Sequence, residues 1–335
     1  MGNILLSALD QSPIRSGGSA ADAINETIQL AQLTETLGFS RFWVSEHHAS
    51  EGLAGCSPEV LLARLGAETN TIRIGSGGVM LPHYSPYKVA ENFKLLETMY
   101  PGRIDLGVGR APGSDQFIAS VLRYGSHIGP EYFNNKVADL EALLRDAPPP
   151  TEGMEKAVAC PRVEIPPCLW MLGSSQDSAI LAAAMGLPYN FALFINAQIR
   201  PDILKIYRER FQVSNVADKP FASMGVFVIC ADTEEEALHL SRSRDLWYVR
   251  FTSSPKGPTV PSPEEAEAFP YTENQLAFLE QSRKQRIVGT PEQVKEKLDV
   301  LVEKFDADEL MIVTITHSFE ARCRSYELLA DVWGL

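Results

Sequence analysis

Residues 72–113 read IRIGSGGVMLPHYSPYKVAENFKLLETMYPGRIDLGVGRAPG. Two apolar runs stand in this stretch, IRIGSGGVML at 72–81 and RIDLGVG at 103–109, with a helical segment between them. A half-exposed strand alternates apolar with polar residues. These runs are nearly continuous instead, as in strands buried on both faces of a parallel sheet. The stretch predicts one β/α unit.

The same rhythm extends outward in both directions. Strand candidates are NILLSAL (3–9), RFWVSE (41–46), PCLWMLG (167–173), YNFALF (189–194), SMGVFVICA (223–231) and ELMIVTIT (309–316). Helical patterns separate them. Residues 22–37 set Ile24, Ile28 and Ala31 on one face before Gly38. Residues 58–69 begin with Ser57 as a cap and Pro58 in the first turn, and Thr290 with Pro291 repeats that signal for 291–305. There Val294, Leu298, Leu301 and Phe305 share a face; near 319–332, Phe319, Cys323, Tyr326 and Ala330 do the same. Eight evenly spread β/α units predict closure into a (β/α)8 TIM barrel, a single domain over 1–335, in preference to an open doubly wound sheet.

Two segments break the rhythm. Residues 146–166 are proline-rich and read as a long loop. Residues 252–288, opening TSSPKGPTVPSPEE, form an insertion between the seventh and eighth units and are the candidate mobile lid.

Bulk properties exclude several function classes. The chain has 335 residues, 45% hydrophobic and 22% charged, with a net charge of -13. That acidity opposes binding to nucleic acid or to an anionic membrane surface. No apolar run reaches the ~20 residues a membrane span needs, and MGNILLSALDQSP lacks the basic leader of a signal peptide. Five scattered cysteines without a C-x-x-C pair indicate neither a disulfide framework nor a zinc site. The expected location is the reducing cytoplasm.

Chemistry on a barrel is sought at the C-terminal ends of its strands. Glu46-His47-His48 follow the second strand, and Gly77 and Gly78 interrupt the third before LPHYSP. Gly109-Arg110 follow the fourth, and Ser174-Ser175 with Ser178 follow the fifth at the start of a helix. Small polar residues at a helix N-terminus and a nearby guanidinium make an anion site, a phosphate for example; plain helix capping by Ser175 is the competing reading. Glycines inside a buried strand mark a bulge or a close approach of backbone to a ligand. Adjacent His47 and His48 point to opposite sides of an extended segment, so one can face the barrel mouth and carry protons. No histidine or carboxylate spacing fits a metal. No G-x-G-x-x-G, P-loop or G-x-S-x-G is present.

The segments RFWVSEHHASEG, GSGGVMLPHYSP…GRIDLGVGRAPG and DELMIVTITHSFEARCRSYELLA resemble those of the bacterial-luciferase-like flavin monooxygenases, over nearly the full chain. The resemblance implies that FMNH2, supplied by a separate flavin reductase, reacts with O2 through a flavin-4a-hydroperoxide to oxidise a small organic substrate such as an aldehyde. It assigns proton transfer to His47, a place beside the flavin to Glu46, and a non-prolyl cis peptide under the ring to Gly77 and Gly78. It gives the FMN phosphate to Arg110, Ser175 and Ser178, with Ser174 in the same turn, and it implies a homodimer. Gly109 stands where luciferase α chains carry a reactive cysteine, so light emission is not expected. Two other readings stay open within the resemblance: a deazaflavin-dependent hydride-transfer oxidoreductase, and a flavin-binding protein without turnover.

Overall fold

Apolar runs too continuous to leave a face in water must be covered on both sides, and the chain does this by wrapping helices around a ring of strands. The computed structural model describes residues 4–126, 128–195, 200–253, 257–283 and 286–335. Strand β1 (Leu5–Asp10) leads to α1 (Ala20–Thr36), β2 (Arg41–Val44) and α2 (Pro58–Glu68). Then come β3 (Arg73–Met80), α3 (Pro86–Met99), β4 (Ile104–Gly109), α4 (Gln116–Leu122) and α5 (Phe133–Leu144). The middle holds β5 (Cys168–Gly173), α6 (Gln176–Met185), β6 (Tyr189–Ala192), α7 (Asp202–Arg210), β7 (Ala222–Cys230) and α8 (Glu234–Ser253). The chain ends with α9 (Pro263–Ala268), α10 (Glu273–Arg283), β8 (Ile287–Gly289), α11 (Pro291–Phe305), β9 (Glu309–Val313) and α12 (Phe319–Trp333).

Each strand from β1 to β6 pairs in parallel with the next; β6 pairs with β7, β7 with β9, and β9 with β1. The ring is closed, and the expected eight-stranded barrel is found. Side chains alternate accordingly: along β9, Leu310 and Ile312 pack outward with the helices, while Met311 and Val313 join Leu9, Trp43 and Trp170 inside. Among the described residues no helix is long and apolar enough to cross a membrane.

At the N-terminal end of the ring the interior is ionic. Arg41 reaches Glu309 at 2.7 Å and Asp105 at 3.0 Å, and Arg73 reaches Asp105 at 2.6 Å. Two guanidinium groups thus face two buried carboxylates, with the Arg41 charge 4.7 Å above the Trp170 ring. Breaking such a pair leaves a buried charge uncompensated. Above this layer Trp43 needs bare backbone opposite it: a Cβ on Gly75 would lie 2.8 Å from its Nε1, and one on Gly77 3.1 Å from its Cε3.

The insertion carries structure of its own: helices α9 and α10 lie within 252–288, and the three-residue strand β8 begins at its end. Strand β8 pairs with the overhanging end of β7, Val228 opposite Ile287 and Cys230 opposite Gly289, outside the ring. Its shortness hides it from any periodicity. Residues 254–256 and 284–285 of the insertion, like Asn3 of the first strand candidate, lie outside the described residues. The described part is tied down: Ser16 N–H donates to Val260 O at 2.7 Å, Val260 N–H to Ile14 O at 2.8 Å, and Trp247 Nε1 to Pro258 O at 2.9 Å. Thr290 makes its capping box with Gln293, whereas Ser57 precedes Pro58 without any side-chain cap.

Candidate functional site

The strands all end on one side of the barrel, and a cleft of about 950 Å³ opens there. Its wall is made by Gly77, Gly78 and Gly109 on β3 and β4. The peptide Gly77–Gly78 is cis, and the β3–β4 register shifts between Gly77 and Val79. The bulge is therefore present, and packing alone already demands the glycines. A Cβ on Gly77 would lie 2.7 Å from Leu9 Cδ1, and one on Gly78 2.5 Å from Leu172 Cδ1 and 2.6 Å from Gly107 O. Gly109 differs, because a Cβ there would meet nothing within 4 Å.

One end of the cleft gathers the serine turn and Arg110. Gly173, Ser174, Ser175 and Ser178 line it where α6 begins, and Arg110 lines it from the end of β4. Ser175 caps α6 reciprocally with Ser178, and the Ser178 hydroxyl lies 2.9 Å from the Tyr189 hydroxyl. The capping reading of the serine turn is seen directly, and the N-terminus of the capped helix opens on the cleft. Arg110 is exposed and makes no ion pair among the described residues. It is the one cationic side chain among the described lining residues, which also include Asp177 and Glu131. The other end is apolar, with Leu9, Trp43, Leu172 and Phe194, and Asn190 as a polar contact.

The residues after β2 sit behind this wall. Glu46 is buried and does not line the cleft. Its Oε1 accepts from the Tyr84 hydroxyl at 2.7 Å and lies 2.7 Å from His48 Nε2; its Oε2 accepts from Met80 N–H at 3.0 Å. Met80 does line the cleft. Of the expected residues, Gly77, Gly78, Arg110, Ser174, Ser175 and Ser178 come together on the cleft, while Glu46 stands outside its lining and holds the backbone of Met80. His47 is partly buried, outside the cleft lining, and its backbone N–H donates to Gly55 O at 2.8 Å. Burial pushes its imidazole pKa down to about 4, His48 adding to the effect and Glu46 opposing it.

Sequence reasoning expects the LPHYSP segment to line the pocket but singles out neither His83 nor Tyr84, and both stand outside the cleft lining. His83 Nε2 lies 2.7 Å from Pro112 O, and His48 N–H donates to Gly113 O at 3.0 Å. Together they fix the loop that carries Arg110. Asn190 has a clearer signal, an amide inside the apolar run YNFALF; it donates to Ser223 Oγ at 2.8 Å. Among the described residues no group of three or more His, Cys, Asp or Glu side chains could hold a metal.

A family model described as luciferase-like monooxygenase matches residues 4–308. The Bacillus subtilis protein YwcH is 44% identical over 99% of both chains. The N-acetyl-S-alkylcysteine monooxygenase of Bacillus subtilis is 39% identical over 98% of both. Among solved structures, apo-MsnO8 superposes with a TM-score of 0.91 at 36% identity, covering 99% of both chains.

Proposed function

The chain belongs to the luciferase-like monooxygenases, and on that premise we propose that it is an FMN-dependent monooxygenase acting on a small organic substrate. The observation that carries the reading is the meeting, at one cleft, of Arg110, the N-terminus of α6 and the bare wall at Gly77–Gly78. These residues fit the cofactor. A guanidinium and a helix N-terminus suit a phosphate monoester. Backbone without side chains lets a flat ring approach closely. A cleft of about 950 Å³ leaves space for a second small molecule beside the flavin.

Bound here, reduced FMN supplies the electrons with which O2 is split, one oxygen atom going to the substrate and the other to water. The chain's own work is holding and shielding. Arg110 and α6 bind the phosphate. Leu9, Trp43, Leu172 and Phe194 keep water from the reacting end. His47 stands outside the cleft lining, its imidazole held neutral by burial. The segment around Val260, bonded across the loop after β1, joins the apolar cluster of Leu9 and Trp43. A separate flavin reductase delivers the reduced cofactor. A homodimer forms through α2 and α3, where Val60, Leu95 and Met99 are 70%, 51% and 45% exposed.

Fluorescence titration of the purified protein with FMN, and anaerobically with FMNH2, tests the reading. Saturable binding of at least one is expected, with substrate-dependent oxygen consumption when a flavin reductase is added. Failure of both to bind overturns it.

A further inference from the structure

One polar side chain stands in the apolar end of the cleft. On β6, Tyr189 and Phe191 pack outward with the helices, so Asn190 between them points into the barrel. It is 4% exposed and lines the cleft with Leu172 and Phe194. The other polar side chains among the described lining residues follow β4 or β5, at the end that holds Arg110 and the serine turn. An amide inside a barrel costs free energy unless its hydrogen bonds are made. One is made: Nδ2 donates to Ser223 Oγ at 2.8 Å, and Ser223 stands opposite Asn190 in the β6–β7 register. A carboxamide carries a second N–H and an acceptor oxygen besides. Among the described residues neither has a partner.

The neighbouring strands leave that edge of the amide open. On β7 a Cβ at Gly225 would lie 3.5 Å from Asn190 Oδ1 and 2.8 Å from Phe194 Cε1. The Phe194 ring therefore lies over bare backbone beside the amide. On β5, Leu172 stands opposite Asn190 in register, and it is also the side chain that a Cβ on Gly78 would meet at 2.5 Å. In the closed eight-stranded ring β7 lies opposite β3. A flat ring placed on the Gly77–Gly78 wall thus turns its free face toward the wall of β6 and β7, where Asn190 and Phe194 stand.

We propose that Asn190 is a specificity-determining residue for the substrate, and that the substrate is a small molecule with an amide group on an apolar body. The amide pairs with the Asn190 carboxamide, and the body lies against Phe194. An amide offers a C=O and an N–H to the N–H and C=O of the carboxamide. A ligand without the N–H leaves Oδ1 unmatched in an enclosed site, which is how a polar group inside an apolar pocket rejects an isostere. The place of Asn190 on the cleft stands on its own geometry. Its role toward the substrate rests on the flavin-monooxygenase reading above.

The test uses N-butylacetamide and its ester isostere butyl acetate, titrated into the full-length protein by ligand-observed NMR, with saturating FMN and again without flavin. Water solvates an amide better than an ester, so an apolar site lacking Asn190 favours the ester. The wild-type protein is expected to bind the amide more tightly by ~10-fold or more. Asn190→Leu should reverse the order and leave FMN affinity unchanged. Where that variant fails to fold, Asn190→Ala combined with Ser223→Ala serves instead, since it removes both partners of the bond together. Equal binding, a preference for the ester in the wild-type protein, or a preference for the amide that survives the substitution overturns the proposal. A loss of FMN affinity in Asn190→Leu would put the carboxamide on the flavin ring and overturn the assignment to substrate. If FMN fails to bind while the flavin-free protein still prefers the amide through Asn190, the flavin reading falls and the amide site stands.

Discussion

The Tyr84 hydroxyl donates to Oε1 of Glu46 at 2.7 Å, joining the turn after β3 to the end of β2. Burial raises the Tyr84 pKa and the adjacent Glu46 raises it further, so the phenol stays a donor at any working pH. Through its other oxygen Glu46 holds the backbone of Met80 on the cleft wall. Tyr84→Phe removes the donor and keeps the ring, leaving a buried carboxyl oxygen short of a partner. It should cost about 1–3 kcal/mol in urea unfolding. A loss below ~0.5 kcal/mol would show that His48 alone suffices to hold Glu46.

The assignment of Arg110 to a phosphate has a sharper reading than loss of activity. Riboflavin has the same ring as FMN and no phosphate. Arg110→Ala should weaken FMN by roughly 10- to 100-fold, the range of a charge-assisted hydrogen bond, and leave riboflavin binding unchanged. Equal weakening of both would place Arg110 at the ring or in the fold instead. The same titration with the deazaflavin cofactor separates the hydride-transfer alternative, which requires that cofactor to bind more tightly than FMN.

Much of this was legible in the sequence, for physical reasons that can be named. Eight parallel strands buried on both faces leave nearly continuous apolar runs, and helix starts such as Thr290-Pro291 carry their own caps. Gly77, Gly78, Arg110 and the serine turn stand at strand ends, where a barrel collects them into one cleft. What was hidden depends on distance or on size. Glu46 meets Tyr84 across 38 positions, and Arg283 meets Asp245 across the same separation. No local pattern encodes such contacts. The helices α9 and α10 are short and follow a proline-rich stretch, so their periodicity never accumulates. The glycines signal a bulge or a close approach of a ligand; the bulge is there, and Trp43 and Leu172 already claim the room beside it.

His47 makes stability depend on pH in a definite direction. Its folded-state pKa is pushed down to about 4, against 6.5 in the unfolded chain. Above pH 6.5 both states are neutral and the group contributes no pH dependence. Between pH 6.5 and 4 the unfolded chain binds a proton that the folded protein refuses, so stability falls as the pH is lowered, by at most about 3 kcal/mol. His47→Gln should flatten that part of the profile, measured by urea unfolding at pH 7.5, 6, 5 and 4.5. An identical slope in both proteins would show that the imidazole titrates normally in the folded state.

Gly78 and Gly109 face the same cleft and should respond oppositely to a methyl group. At Gly78 an added Cβ falls 2.5 Å from Leu172 Cδ1 and 2.6 Å from the Gly107 carbonyl oxygen, one contact with a side chain and one with backbone. The side chain can give way but the β4 backbone cannot, so Gly78→Ala should cost about 1–3 kcal/mol as overpacking. At Gly109 nothing lies within 4 Å, and its φ is not in the left-handed region. Gly109→Ala should therefore leave stability unchanged or raise it by about 0.4–1 kcal/mol, through lost freedom of the unfolded chain. Gly109→Cys extends the comparison to the site. Because the position lines the cleft, its thiol should react readily with a maleimide in the free protein and be protected by FMN. A thiol that reacts at the same rate with and without saturating FMN would place the ring elsewhere.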